Sequence, residues 1–273
     1  MNNSDDVPIY VIGGYLGAGK TTFINRYLAS QQNLAGTWVL VNDFGEVNVD
    51  AALIAASNPD QNLVTLTNGC VCCSVSDDLS MQLERLREAQ PNRLLIEASG
   101  VAQPYKLRQQ CSYPGYRCAG VLVLINGNDF QRLSQDKYVG TLVQAQAAEA
   151  DRVMASQGRL PENLPVPAVT FETAVEFFAG PNNVVATTAP EELIKDFHTE
   201  VWHAPAGFSR SQLDAWLNQQ SSRVQRIKGV VQIDGLKLLV QWTPQAMTCA
   251  PTDMEVTGLV VISAGGNEPP QTA

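Results

Sequence analysis

Gly14-Tyr15-Leu16-Gly17-Ala18-Gly19-Lys20-Thr21 fits the phosphate-loop pattern GxxxxGKS/T. Its glycines carry no Cβ, so backbone N–H groups can converge on phosphate oxygens, and a helix beginning at the lysine adds a favourable field for an anion. Lys20 is suited to the β and γ phosphates and the Thr21 hydroxyl to Mg²⁺. Gly14, Gly17, Ala18, Gly19, Lys20, Thr21 and Thr22 form the expected nucleotide contact set. Downstream, the apolar run Leu94-Leu95-Ile96 ends in Glu97, a carboxylate emerging at a strand's C-terminal edge, where a second Mg²⁺ ligand is needed.

A second chemistry is written in Asn68-Gly69-Cys70-Val71-Cys72-Cys73, where three soft sulfur ligands favour Zn²⁺ or Cu⁺ over Mg²⁺. Adjacent side chains of extended backbone point to opposite faces, so two of these cysteines plus an outside ligand make the expected shell. Asn42-Asp43-Phe44-Gly45-Glu46 supplies two carboxylates after the second strand. Glu46 is a candidate outside ligand, and either Asp43 or Glu46 could orient an attacking water; the residues leave both assignments open. Cys111 and Cys118 flank a Pro-Gly loop and could approach each other, but their spacing fits no zinc motif, and with Cys249 they are read as packing residues. Trp202, Trp216 and Trp242 are likewise read as core.

Short β-rich runs alternating with helix-patterned segments must position these groups. Strands are expected at Ile9–Ile12, Trp38–Val41, Leu63–Leu66, Leu94–Ile96, Val121–Ile125 and Val153–Ala155. Phe23, Ile24, Tyr27 and Leu28, then Leu79, Leu83 and Leu86, recur at helical spacing between them. The pattern predicts an α/β fold of P-loop NTPase type, a mostly parallel sheet with helices on both faces, plus a small C-terminal α+β domain. The expected boundaries are 1–185 for the nucleotide-binding domain with its CxCC motif, 186–206 for a linker, 207–265 for the second domain and 266–273 for a tail. Ser209 is the expected cap of a helix carrying Leu213, Trp216 and Leu217.

Composition excludes several classes. At 45 % hydrophobic and 16 % charged, the 273-residue chain has fewer charges than the roughly 25 % of an average soluble protein, which argues against disorder and coiled coil. Its 27 acidic and 18 basic residues give a net charge of -9, the wrong sign for neutralising nucleic acid or an anionic membrane. No apolar run approaches the roughly 18 residues of a membrane span. Met1 to Asp6 is polar and acidic and the first basic residue is Lys20, so a cytoplasmic, reducing location is expected, in which clustered thiols favour metal over disulfides.

Taken in order, GGYLGAGKTT, NDFGEVNVD, LTNGCVCCS and IEASGVAQP make the chain similar to the CobW-like metallochaperone GTPases, relatives of UreG and HypB. FSRSQLDAWLNQQSSRVQRIKGVV resembles the opening of that family's C-terminal domain. The resemblance implies slow GTP hydrolysis coupled to delivery of a transition metal, commonly zinc or cobalt, to a client metalloprotein. It also implies a metal site at Cys70, Cys72 and Cys73 with Glu46 as a frequent further ligand; homo-oligomerisation is left open. Where the family's guanine-reading NKxD should follow Val153–Ala155, this chain has Ser156-Gln157-Gly158-Arg159. Arg159 offers only donors where an Asp would accept from the guanine N1–H and amine, so GTP and ATP both remain candidates. Asn126-Gly127-Asn128-Asp129 is read first as a turn. The only histidines are His198 and His203, read as surface or linker residues.

Overall fold

Strands buried on both faces need near-continuous apolar sequence, and that is what the expected runs supply. The computed structural model describes residues 6–31, 34–42, 62–66, 75–111, 113–179, 197–205, 207–220, 223–233, 235–253 and 257–264. The first sheet comprises β1 (Val7–Gly13), β2 (Thr37–Asn42), β3 (Asn62–Leu66), β4 (Arg93–Glu97), β5 (Tyr116–Asn126) and β6 (Arg152–Gln157). All are parallel, in the order β3-β2-β4-β1-β5-β6. The order places β1, which leads into the glycine-rich turn, between the strand that ends in Glu97 and β5.

Side chains alternate between two cores, as the two-residue period of a strand requires. Ile9, Val11, Leu94, Ile96, Val121 and Val123 face one layer, with Leu79, Leu83 and Leu86 of α2 (Val75–Arg87), Leu107 of α3 (Pro104–Gln110) and Ala147. Tyr10, Ile12, Leu95, Leu122 and Leu124 face the other, with Phe23, Ile24, Tyr27 and Leu28 of α1 (Lys20–Ser30) and Phe178. The remaining helices of this unit are α4 (Phe130–Ser134), α5 (Gly140–Ala148) and α6 (Phe171–Ala179). Tyr10 and Tyr27 meet Phe178 edge-on at centroid distances of 5.2 and 5.3 Å, joining β1, α1 and α6.

A second, antiparallel sheet is built from β7 (Phe197–Trp202), β8 (Val224–Ile233), β9 (Leu236–Thr243), β10 (Ala246–Pro251) and β11 (Gly258–Ala264), in the order β10-β9-β8-β11-β7. The stretch 186–206 expected as linker therefore contains an edge strand, β7, paired with β11. FHTEVW has three consecutive polar residues, His198 to Glu200, and so lacks the alternation of a half-buried strand; its strand character depends on that pairing. Residues 266–273, expected as a tail, lie outside the described residues.

Ser209 caps α7 (Arg210–Asn218) in a capping box: its Oγ accepts from Gln212 N at 3.3 Å, and Gln212 Oε1 accepts from Ser209 N at 2.8 Å. Leu213, Trp216 and Leu217 of α7 pack with Leu259, Val261, Ile227 and Val240 on one face of this sheet. Trp202 stacks on Trp216 at 4.3 Å, and Trp242 packs against the same core, as expected of these tryptophans. The opposite face of β11 presents Val260, Ile262 and Ala264 to the first domain, where they meet Tyr15, Leu16, Val101 and Val143. β11 is thus buried along its whole length because each face closes a different core.

Candidate functional site

Three glycines give the turn after β1 its shape. Gly14, Gly17 and Gly19 have φ of 132°, 80° and 84°, a region that side chains disfavour. At Gly14 the space is closed as well, since a Cβ would sit 2.4 Å from the Leu124 carbonyl oxygen. The turn is tied by Ala18 N donating to Tyr15 O at 3.0 Å, and α1 starts with Phe23 N donating to Gly19 O at 2.9 Å. Gly19 is the helix N-cap and supplies no side-chain cap, which suits a helix end meant for a ligand's oxygens.

Lys20 is 6 % exposed and folds back along the turn, its Nζ donating to Gly14 O at 3.0 Å and reaching Tyr15 O at 3.5 Å. Thr21 Oγ1 donates to Glu97 Oε1 at 2.8 Å, bringing together residues 76 apart in sequence. Sheet register makes that contact: Glu97 is paired with Ile12 of β1 on one side and Val41 of β2 on the other. A hydroxyl and a 3 % exposed carboxylate at this distance are hard oxygen donors of the kind Mg²⁺ takes. Thr22 lies on the solvent side.

Beyond Glu97 the chain turns sharply, with Ala102 N donating to Ser99 O at 3.0 Å. Gln146 of α5, 2 % exposed, clamps this turn by donating from Nε2 to Gly100 O at 3.1 Å and Ala102 O at 2.9 Å. Leu16 lies on the same turn; a Cβ at Gly100 would come within 2.4 Å of its Cδ2.

Asp43, Glu46, Cys70, Cys72 and Cys73 lie outside the described residues. The strands before them are described: Asn42 at the end of β2 is the register partner of Leu66 at the end of β3. The ends of β2 and β3, which these segments follow in sequence, are therefore neighbours in the sheet, and β2 is also the neighbour of β4, which ends in Glu97. Among the described residues no group of three or more His, Cys, Asp and Glu side chains is placed to hold a metal. Cys111 and Cys118 are buried against each other, and donation to Cys118 together with burial pushes the Cys111 thiol well above its ordinary range. His203 is exposed.

Ser156-Gln157-Gly158-Arg159 ends β6 beside the glycine turn, with Ser156 Cβ 3.4 Å from where a Gly19 Cβ would stand. Asn126–Asp129 is a turn, as expected: Asp129 N donates to Asn126 O at 3.1 Å, and Asn126 Nδ2 to Asp129 Oδ2 at 3.0 Å. Gly127 N donates to Gln157 O at 2.8 Å, which locks the two loops together.

Three residues around this site escaped sequence reasoning. Tyr15 Oη donates to Gln225 Oε1 of β8 at 3.0 Å, across the domain boundary, and Gln146 clamps the turn after Glu97. Burial, with Asp136 adding to it, drives the Tyr15 phenol far above its ordinary pKa, so it stays a donor. The available signal was a bulky tyrosine and leucine at two free positions of the glycine motif, where solvent-facing residues would be polar.

The CobW/HypB/UreG nucleotide-binding domain matches residues 8–158, and the C-terminal domain of cobalamin synthesis protein CobW matches residues 197–271. A zinc chaperone CobW of Sinorhizobium sp is 37 % identical over 123 residues, covering 42 % of this chain and 34 % of that protein. The zinc chaperone YjiA of Escherichia coli K12 is 33 % identical over 162 residues, covering 55 % of this chain and 49 % of that protein. The matched stretch thus spans half or less of these relatives' own length. The Zn(II)-bound crystal structure of the E. coli YjiA GTPase aligns over 98 % of this chain and 96 % of that chain at 20 % identity, with a TM-score of 0.40. With its nucleotide-binding match over more than half its length, and the C-terminal match after it, the chain belongs to the CobW/HypB/UreG family.

Proposed function

We propose that this protein is a nucleotide-dependent metallochaperone that binds and slowly hydrolyses GTP while holding and handing over a transition metal, zinc in the first place. The observation that carries the reading is the 2.8 Å contact between Thr21 and Glu97, which assembles a hydroxyl and a buried carboxylate beside the glycine turn. Mg²⁺ held by Thr21 and Glu97 would supply charge neutralisation at the β- and γ-phosphate oxygens. Lys20, already drawn onto the turn, meets the same oxygens, and the N–H groups of Gly17 and Gly19 orient them. Asp43 or Glu46, entering from the end of β2, positions the attacking water or completes a thiolate site formed by Cys70, Cys72 and Cys73. The names of the relatives, zinc chaperones, support zinc as the cargo. A client metalloprotein is the expected recipient, in the cytoplasm; among the described residues no helix is long and apolar enough to cross a membrane.

Because the two loops leave neighbouring strand ends, nucleotide and metal should change each other's affinity by the same factor. Titration of GTP, ATP and their non-hydrolysable analogues, with and without stoichiometric Zn²⁺ or Co²⁺, tests this. The expected outcome is GTP preferred weakly over ATP, and Zn²⁺ bound more tightly when the analogue is present. Equal Zn²⁺ affinity in both states refutes the coupling. Arg159 favours a second reading, an ATP-preferring enzyme or a metal sensor with little turnover. Negligible phosphate release from any nucleotide, with or without metal, would select the sensor.

A further inference from the structure

The phosphate turn is held from outside as well as from within. Tyr15 and Leu16, at its apex, are 7 % and 6 % exposed, and the surface covering them belongs in good part to the C-terminal sheet, through Val260 and Ile262 of β11. Tyr15 Oη donates to Gln225 Oε1 at 3.0 Å, while Gln225 is itself anchored by its Nε2 donating to Arg223 O at 3.2 Å. The Thr243 methyl, at the end of β9, stands 3.6 Å from where a Gly17 Cβ would lie. Leu16 joins this grip to the turn after Glu97 through its contact with Gly100. A cavity of about 260 Å³ separates the two domains next to these contacts, lined among others by Gly17, Gln146, Gln225 and Thr243.

A turn with glycines at three left-handed or otherwise side-chain-averse positions has many alternative shapes when unsupported, and a ligand binding to it must first remove that freedom. We propose that Gln225 is a positioning residue for the nucleotide: acting through Tyr15, the C-terminal sheet holds the phosphate turn in its binding shape, so that nucleotide affinity depends on the interdomain contact. This rests on the reading that the turn takes a nucleoside triphosphate. The tyrosine at the second motif position and the glutamine 210 residues later are then one device. By reciprocity, a nucleotide in the turn strengthens docking of the second domain.

The test uses the full chain with Mg²⁺ and N-methylanthraniloyl GTP and ATP as probes, comparing wild type with Tyr15→Phe, Gln225→Leu and the double variant. Ile233→Val, on the face of β8 that packs with α7, serves as a control for loss of C-terminal stability. Each single variant is expected to weaken the preferred probe about three- to tenfold, the scale of one buried hydrogen bond. The double variant should be no weaker than the worse single one, because both remove the same contact. The control should lower the melting temperature measured without nucleotide and leave Kd unchanged. Unchanged Kd in both single variants despite a lowered melting temperature marks the contact as merely structural and overturns the inference, as do additive losses or tighter binding. A wild-type chain that takes up neither probe overturns the proposed function, and this inference with it.

Discussion

In the proposed function, Lys20 and Glu97 divide the work of the candidate site between binding and turnover. With its ammonium already drawn over the turn, Lys20 contributes charge where phosphate charge must be met; Lys20→Ala should weaken nucleotide binding at least about tenfold, the loss of one charge-assisted contact, as read by fluorescence titration. Glu97→Gln keeps an oxygen for Thr21 to donate to but removes the charge that, in the proposed function, would hold Mg²⁺. Nucleotide should still bind, while Mg²⁺-dependent phosphate release falls about 100-fold or more, and equal turnover would remove Glu97 from the site. Both residues were legible in the sequence because each sits at a fixed offset from a strand end. Gln146 and Gln225 were not, since a glutamine acquires a role only from what folding brings within 3 Å of it.

At the scale of elements, the turn between β1 and α1 is the least replaceable piece. Gly14→Ala places a methyl against the Leu124 carbonyl and imposes a disfavoured φ. It should cost about 2 kcal/mol or more in urea unfolding, and nucleotide affinity should fall with it. The cap of α7 is a milder case: Ser209→Ala opens the capping box and should cost about 1 kcal/mol, with nucleotide affinity untouched because α7 packs on the far face of its sheet. All six parallel strands were legible as apolar runs, their ends extended by a few residues. β7 and β10 were not: they are edge strands, stabilised on one side only, and their half-polar sequences become strands by pairing with β11 and β9.

Over the whole molecule, stability depends on buried charge as well as on apolar cores. Arg108 Nη1 is 3.0 Å from Asp151 Oδ2, which also accepts from Val121 N at 2.7 Å, bracing α3 against β5 and β6. Beside them Glu149, 7 % exposed, accepts from Tyr105 N at 3.0 Å, yet burial outweighs that bond and raises its pKa above the ordinary carboxylate value. A raised native pKa favours the protonated acid in the folded state, so its contribution is full below the unfolded value and is lost as pH rises through the native one. Glu149→Gln should therefore gain stability relative to wild type on going from mildly acidic to neutral buffer, by chemical unfolding; a difference independent of pH would contradict the assignment.

Local sequence determined the nucleotide-binding half: glycine spacing, strand runs and the acid after a strand act through neighbours a few residues away, and they also supported the family resemblance. The adjacency of the strand ends leading to the carboxylate and thiol segments needed the order β3-β2-β4-β1, because parallel pairing joins residues with no sequence proximity. The grip of the second domain on Tyr15 and Leu16 needed still more. A side chain buried between two sheets reads like one buried within either, and only the packed chain distinguishes a domain boundary from a core.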